Sequence, residues 1–431
     1  MHKVTTQLDV SHVFPAVNQQ VKQSALMSWQ QAAQQQLAEQ LLPTKKTEAW
    51  KYTPLKSIVS IDWNKDAQAP FDQGVVFQDW HEITLRIENG MLASVPDLPA
   101  GVELICSADF NEQQSQEFIE KITEQRGSFY FDALNQAALD QAYWLKVDDG
   151  VTLEKPLHFN YVQAGNHRMI NTQLLIELGK GAAATVAETF TQAQGSVCFS
   201  NANTTATIGE QAHLTHYHLL LERDENRHVG RVSMALSEKA KLTAFHMAIG
   251  GVLKRKDIAI HHRGENTELS LNGVYLPTGN EIIDYHTSID HAVPNCFSDQ
   301  VFRCIAGDSS KAIFNGRIHI HPQAQKSLAN MNNRNLLLSP NAEVYTKPEL
   351  EIYADDVRCS HGATMAQLDE DMLFYFQSRG ISRAKAEVML SFGFINELLD
   401  ALTDEPVKAL LQPLLGELFS QSSSQPMRQT A

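Results

Sequence analysis

Phosphate-cradling glycine loops, paired cysteines and long apolar runs are all missing from this sequence, and each absence removes a class of function. There is no GxxxxGK[ST] and no GxGxxG after a strand, so the chain carries no fingerprint for a bound nucleotide or dinucleotide. No GxSxG elbow offers a nucleophilic serine. The five cysteines, Cys106, Cys198, Cys296, Cys304 and Cys359, are scattered, odd in number and without a CxxC pair. That excludes a self-contained four-cysteine cluster and fits reduced thiols. No run of about 18 apolar residues is present. The start, MHKVTTQLDVSHVFPAVNQQ, lacks the apolar core of a signal peptide, so the expected setting is cytoplasmic, away from membranes. Basic charge is short as well. With 35 Lys and Arg against 50 Asp and Glu, the net charge of −15 argues against a general nucleic-acid or anionic-membrane binder.

What remains is a chain of 431 residues, 43% hydrophobic and 20% charged, able to bury a large core in two or three structural units. Composition divides it into three zones, 1–75, 76–360 and 361–431. The first contains NQQVKQSALMSWQQAAQQQLAEQLL, where Leu26, Trp29, Ala33, Leu37 and Leu41 recur at helical spacing. PTKKTEAWKYTPLKSI follows as a loop or short second helix. The middle zone is a long series of short strand-like runs, among them TQLLIELG, LTHYHLLLE, ELSLNGVYL and AIFNGRIHIH. Its turns resemble one another. IELGKGAAA, TIGEQAHL, ALSEKAKL, IHIHPQAQ and LLLSPNAE each pass from an apolar run through a polar or glycine turn to a small residue. Such self-similarity favours a stacked parallel β-helix over a large antiparallel sandwich. The last zone is helical, with Ser382 as a cap, a stripe of Ala386, Met389, Phe392, Ile395 and Leu399, a further short helix, and a tail, SQSSSQPMRQTA, read as disordered.

Candidate sites are few. Cys359 and His361, in DDVRCSHGATMAQLDED, stand at i and i+2, on one face of a strand with Cα atoms about 6.6 Å apart. Two ligands do not close a metal or cluster site, which wants about four. The others must come from elsewhere in this chain or from another chain; the plainer alternative is a buried cysteine and an exposed histidine at a strand end. His216 with His218, and His319 with His321, are two more such pairs, of a kind that 17 histidines produce by chance. Asp284, Asp290 and Asp299 keep a polysaccharide-acting β-helix enzyme in view. The bases of AIGGVLKRK read as decoration of a strand end. The apolar residues Val388, Met389, Phe392, Phe394, Ile395 and Leu398 cover more than one helical face, more than a short helical unit has reason to bury by itself.

TEAWKYTPL, the repetitive β region, LEIYADDVRCSHGATMAQLDEDMLFYFQSRGIS and AEVMLSFGFINELL together resemble the SufB/SufD family of iron–sulfur cluster assembly scaffolds, on its SufD branch. The few cysteines and the TEAWKYTPL opening carry the choice of branch. The resemblance implies a right-handed parallel β-helix between helical end domains, in a non-catalytic subunit. It implies pairing with a SufB-like paralogue, docking of a SufC-type ABC ATPase on the C-terminal helices, and sulfur supplied through SufS and SufE. A transient Fe–S cluster would form at the interface with SufB, with His361 a ligand and Cys359 beside it. Neither nucleotide nor flavin is expected on this chain itself. A homodimeric cluster or metal carrier is the alternative.

Overall fold

The computed structural model of the chain describes residues 13–14, 25–64, 69–125 and 129–422. Of the stretch expected to be a disordered tail, 420–431, the first three residues end the last helix and the rest, from 423, lies outside the described residues. The fold is mainly β. From Gln141 onward strands alternate between a ten-stranded and a nine-stranded sheet, each pairing in parallel with the strand two further along the chain, so the chain winds as a parallel β-helix. Among the described residues antiparallel pairing occurs only at its beginning, where Met91–Leu92 joins Ile83–Glu88 and Val102–Cys106 joins Gln141–Val147.

The winding follows from what each rung buries. In the nine-stranded sheet one register line runs Leu145, Ile176, Ala206, Met234, Ile260, Ile289, Ile318 and Leu350, so one apolar column passes through successive turns. Alternate residues face outward, which is why no rung needs a helix to cover it inside. The repeated turn has a specific geometry. Gly181, Gln211, Lys239, Asn266, Asn295 and Lys326 all have positive φ, near 60°. Each is followed by a small buried residue: Ala182, Ala212, Ala240, Thr267, Cys296 and Ser327. The left-handed residue turns the corner, and only a small side chain fits inside it. Of the alanines noticed in the turns, Ala182, Ala212, Ala240 and Ala324 are core residues, while Ala342 is half-buried against the core.

Helical segments cover the outer faces. The helix Met27–Glu39 buries Trp29, Ala33 and Leu37 as its spacing predicts, while Leu41 lies past its end and is exposed. With Glu112–Glu124 and Tyr130–Ala137 it packs on the nine-stranded sheet around Trp144, Leu175 and Phe199. The TEAWKYTPL segment lies against the same sheet. Trp50 is buried beneath the Arg255 guanidinium, 3.9 Å from the ring centre. Thr53 donates to Asp284, and Tyr52 stacks on Tyr345 with centroids 3.9 Å apart. The segment is thus a pin.

On the other side, the helices Arg383–Asp400 and Glu405–Ser422 bury an apolar face against the outside of the ten-stranded sheet, at Tyr217, Phe245, Met247, Val274 and Ile305. This corrects one expectation. The C-terminal helices have a large apolar partner within the chain, and Ile395 and Leu398 are core residues fully or almost fully removed from solvent. Ser382 caps the first of the two, accepting from the Lys385 amide.

A second correction concerns KRK. Lys254, Arg255 and Lys256 decorate nothing; all three are buried within the strand Leu253–His262. Lys254 Nζ pairs with Glu222 at 2.6 Å, Arg255 with Asp284 at 2.9 Å, and Lys256 donates to the Ala202 carbonyl at 2.9 Å.

Candidate functional site

The last two strands, Glu343–Ile352 in the nine-stranded sheet and Arg358–Gln367 in the ten-stranded sheet, are the outermost of their sheets. One strand earlier, alternate residues are fully buried; in these two, every residue is half-buried or exposed. Among the described residues no further rung covers them, and both carry an unpaired backbone edge. Edges of this length are normally blunted or covered, because they are templates for pairing with another chain.

Cys359 and His361 sit on this last rung. Their Cα partners are Ala329 and Met331, both buried in the interior of the stack. The two side chains therefore lie on the register that faces inward in every earlier turn, and His361 is exposed because the stack stops there. Cys359 is half-buried against the core, and that burial pushes its thiol above the ordinary range, against a weaker opposing hydrogen bond from the Ala329 backbone. Left alone it is protonated near neutral pH; a metal ion beside it would displace the proton. Between them Ser360 donates to Asn330 Oδ1 at 2.8 Å. The geometry offers one imidazole and one thiol side by side on an uncovered edge, with no further metal-sized group around them among the described residues.

The other sequence candidates separate. His216 Nε2 lies 2.9 Å from buried Glu188, and His218 stacks on His246 with centroids 5.3 Å apart. Burial, and secondarily Lys256, holds His218 well below the ordinary imidazole range, so it acts as a neutral core group. Asp284 is locked to Arg255, Asp290 lies on the same strand about 20 Å further along, and Asp299 is in the other sheet. Those carboxylates do not converge as a hydrolytic pair. Of the apolar C-terminal residues, Val388, Phe392 and Phe394 are half-buried against the ten-stranded sheet, while Met389 is exposed. Reading the sequence alone passed over an exposed apolar set on the preceding helix, Glu370–Ser378: Met372, Phe374 and Tyr375. It also treated His319 and His321 as accidental, yet the rungs bring both to Asp290. A signal existed in the constant rung spacing, since His261, Asp290 and His319 are successive register partners.

A family model described as "SUF system FeS cluster assembly, SufBD core domain" matches residues 161–394. The chain belongs to the SufBD family. That places it among the iron–sulfur cluster assembly components of the SUF system. It is 32% identical to the iron–sulfur cluster assembly protein SufD of Escherichia coli, across 89% of this chain and 90% of that one. A SufBD family protein of Synechocystis is 26% identical, with 88% of each chain aligned. The chloroplastic protein ABCI7 of Arabidopsis thaliana is 26% identical over 72% of this chain and 68% of its own. The family match spans most of the stack and includes the last rung with Cys359 and His361. No described helix is long and apolar enough to cross a membrane.

Proposed function

We propose that this chain is a non-catalytic scaffold subunit for iron–sulfur cluster assembly, working in the cytoplasm as part of a SufBCD-type complex. The observation that carries the proposal is the uncovered last rung, where an imidazole and a thiol stand on an unpaired strand edge. A SufB-like paralogue, docking edge to edge on Glu343–Ile352 and Arg358–Gln367, would cover the rung and supply the missing ligands. The cluster is cargo, built at the junction from iron and from sulfur delivered through SufS and SufE, with His361 as a ligand and Cys359 beside it. A SufC-type ATPase docks on the helical C-terminal region. Of the residues expected to hold it, Met389 is the exposed one, and Met372, Phe374 and Tyr375 extend the surface; Val388, Phe392 and Phe394 contribute from beneath. Nucleotide belongs to that partner.

The test is His361→Ala in the co-expressed complex, purified without oxygen. His361 packs in no core, so the variant should fold and co-purify with its partners as the wild type does. Its iron and acid-labile sulfide should fall to near background. Cys359→Ser should retain more of both. Wild-type iron and sulfide in the His361→Ala complex would remove this residue from the site. If instead the wild-type chain captures no partner and binds a cluster as a symmetric pair, the same edge serves a homodimeric carrier.

A further inference from the structure

We propose that Asp290, His319 and His321 form a second, separate binding site for a divalent transition-metal ion, on the outer face of the nine-stranded sheet. One Asp290 oxygen, Oδ1, lies 2.8 Å from His319 Nδ1 and 3.0 Å from His321 Nε2. One donor atom from each of the three residues falls within 4.8 Å of the other two. Ligands about 2.1 Å from a zinc-like ion stand about 3.0 Å apart in an octahedron and about 3.4 Å apart in a tetrahedron. The two separations from Asp290 Oδ1 are close to those of adjacent ligands. The remaining oxygen, Oδ2, has His261 Nδ1 at 3.9 Å, a further imidazole beside the trio.

The backbone holds this set in place. His261, Asp290 and His319 are Cα partners on three consecutive rungs. The His321 amide donates to the His291 carbonyl at 3.0 Å, and Tyr353 packs edge-on against His319. Side-chain exposures of 24% for Asp290, 20% for His319 and 34% for His321 leave room for an ion and its water to enter without unfolding. Two imidazoles and one carboxylate make a borderline donor set that suits zinc, iron(II), cobalt or nickel better than calcium or magnesium.

A buried trio on the inner face of the same strands, His262, His291 and Cys296, has a simpler account. Cys296 fills one of the small-residue corners, and the two rings stack at 4.3 Å while bonding to the Thr267 and Ser298 hydroxyls. It therefore serves as the control.

The experiment titrates cobalt(II) into the metal-free, full-length chain, following d–d absorption and heat. One equivalent should bind without a thiolate charge-transfer band. Asp290→Asn, His319→Gln and His321→Gln should each weaken binding at least about tenfold, with circular dichroism unchanged; Cys296→Ala should bind as the wild type does. Three results would overturn the site: no binding, binding that survives Asp290→Asn and His321→Gln, or a thiolate band that disappears with Cys296→Ala. Binding lost only in His361→Ala would assign the ion to the last rung instead.

Discussion

A Glu222→Gln variant is expected to unfold about 3–5 kcal/mol more easily than the wild type. Glu222 is buried inside the stack with one oxygen 2.7 Å from His228 Nδ1 and the other 2.6 Å from Lys254 Nζ. The amide keeps the shape but leaves the Lys254 ammonium buried without its counter-charge. Burial alone would raise the Glu222 carboxyl, yet Lys254 and His228 hold it down to about 2. Burial lowers the His228 imidazole to about 4, against the pull of Glu222. Both groups therefore bind protons more weakly when folded than in an unfolded chain, where they titrate near about 4.3 and about 6.5. Stability from these groups is complete above about pH 6.5. It falls first as unfolding lets His228 take up a proton, then below about pH 4.3 as Glu222 does. Urea unfolding at about pH 7, about pH 5 and about pH 3.5 measures both effects. A variant within about 1 kcal/mol of the wild type at pH 7 would mean that Lys254 escapes to water or gives up its proton freely.

Cutting the chain after Gly380 is expected to give insoluble protein, not a soluble stack. The cut removes the two last helices and uncovers Tyr217, Phe245, Met247, Val274 and Ile305 together. It also removes Asp404, which accepts from Trp80 at 3.3 Å and from Tyr217 at 2.5 Å, and Glu397, which pairs with Arg303. An apolar patch of that extent on a sheet face invites aggregation. Loss of ATPase capture by such a truncation would therefore say nothing about docking. Surface changes separate the two roles: Phe374→Asp with Met389→Asp should leave folding intact and release the ATPase. A truncated chain that stays soluble and monodisperse, with a native circular dichroism spectrum, would show that these helices are not part of the core.

The resemblance between the turns was enough to indicate a stacked fold, because one corner of the stack, from Gly181 to Lys326, repeats a left-handed residue followed by a small buried one. The exposed His361 beside a half-buried Cys359 was legible for a similar reason: an i, i+2 pair on a strand shares a face wherever the strand lies. Which face a basic or apolar residue takes was not legible. Lys254, Arg255 and Lys256 look like surface charge until Glu222, Asp284 and the Ala202 carbonyl arrive from other rungs and the N-terminal pin covers Arg255. Ile395 and Leu398 look unpartnered until the outer face of the ten-stranded sheet is known to be apolar. Convergence across rungs decides such cases. Asp290 and His319 are 29 residues apart in the chain and adjacent in space, a distance that acquires meaning only once the length of a turn is fixed.

In the proposed complex a second chain completes the site at the open end of the stack. Hydrogen–deuterium exchange of the backbone amides, compared between the isolated chain and the complex with its SufB-like partner, tests it most directly. The unpaired edge amides of Glu343–Ile352 and Arg358–Gln367 should exchange freely in isolation and become strongly protected in the complex. Protection that appears only elsewhere, for instance at the Met91–Leu92 and Val102–Cys106 end, while the last rung goes on exchanging freely, would contradict the account.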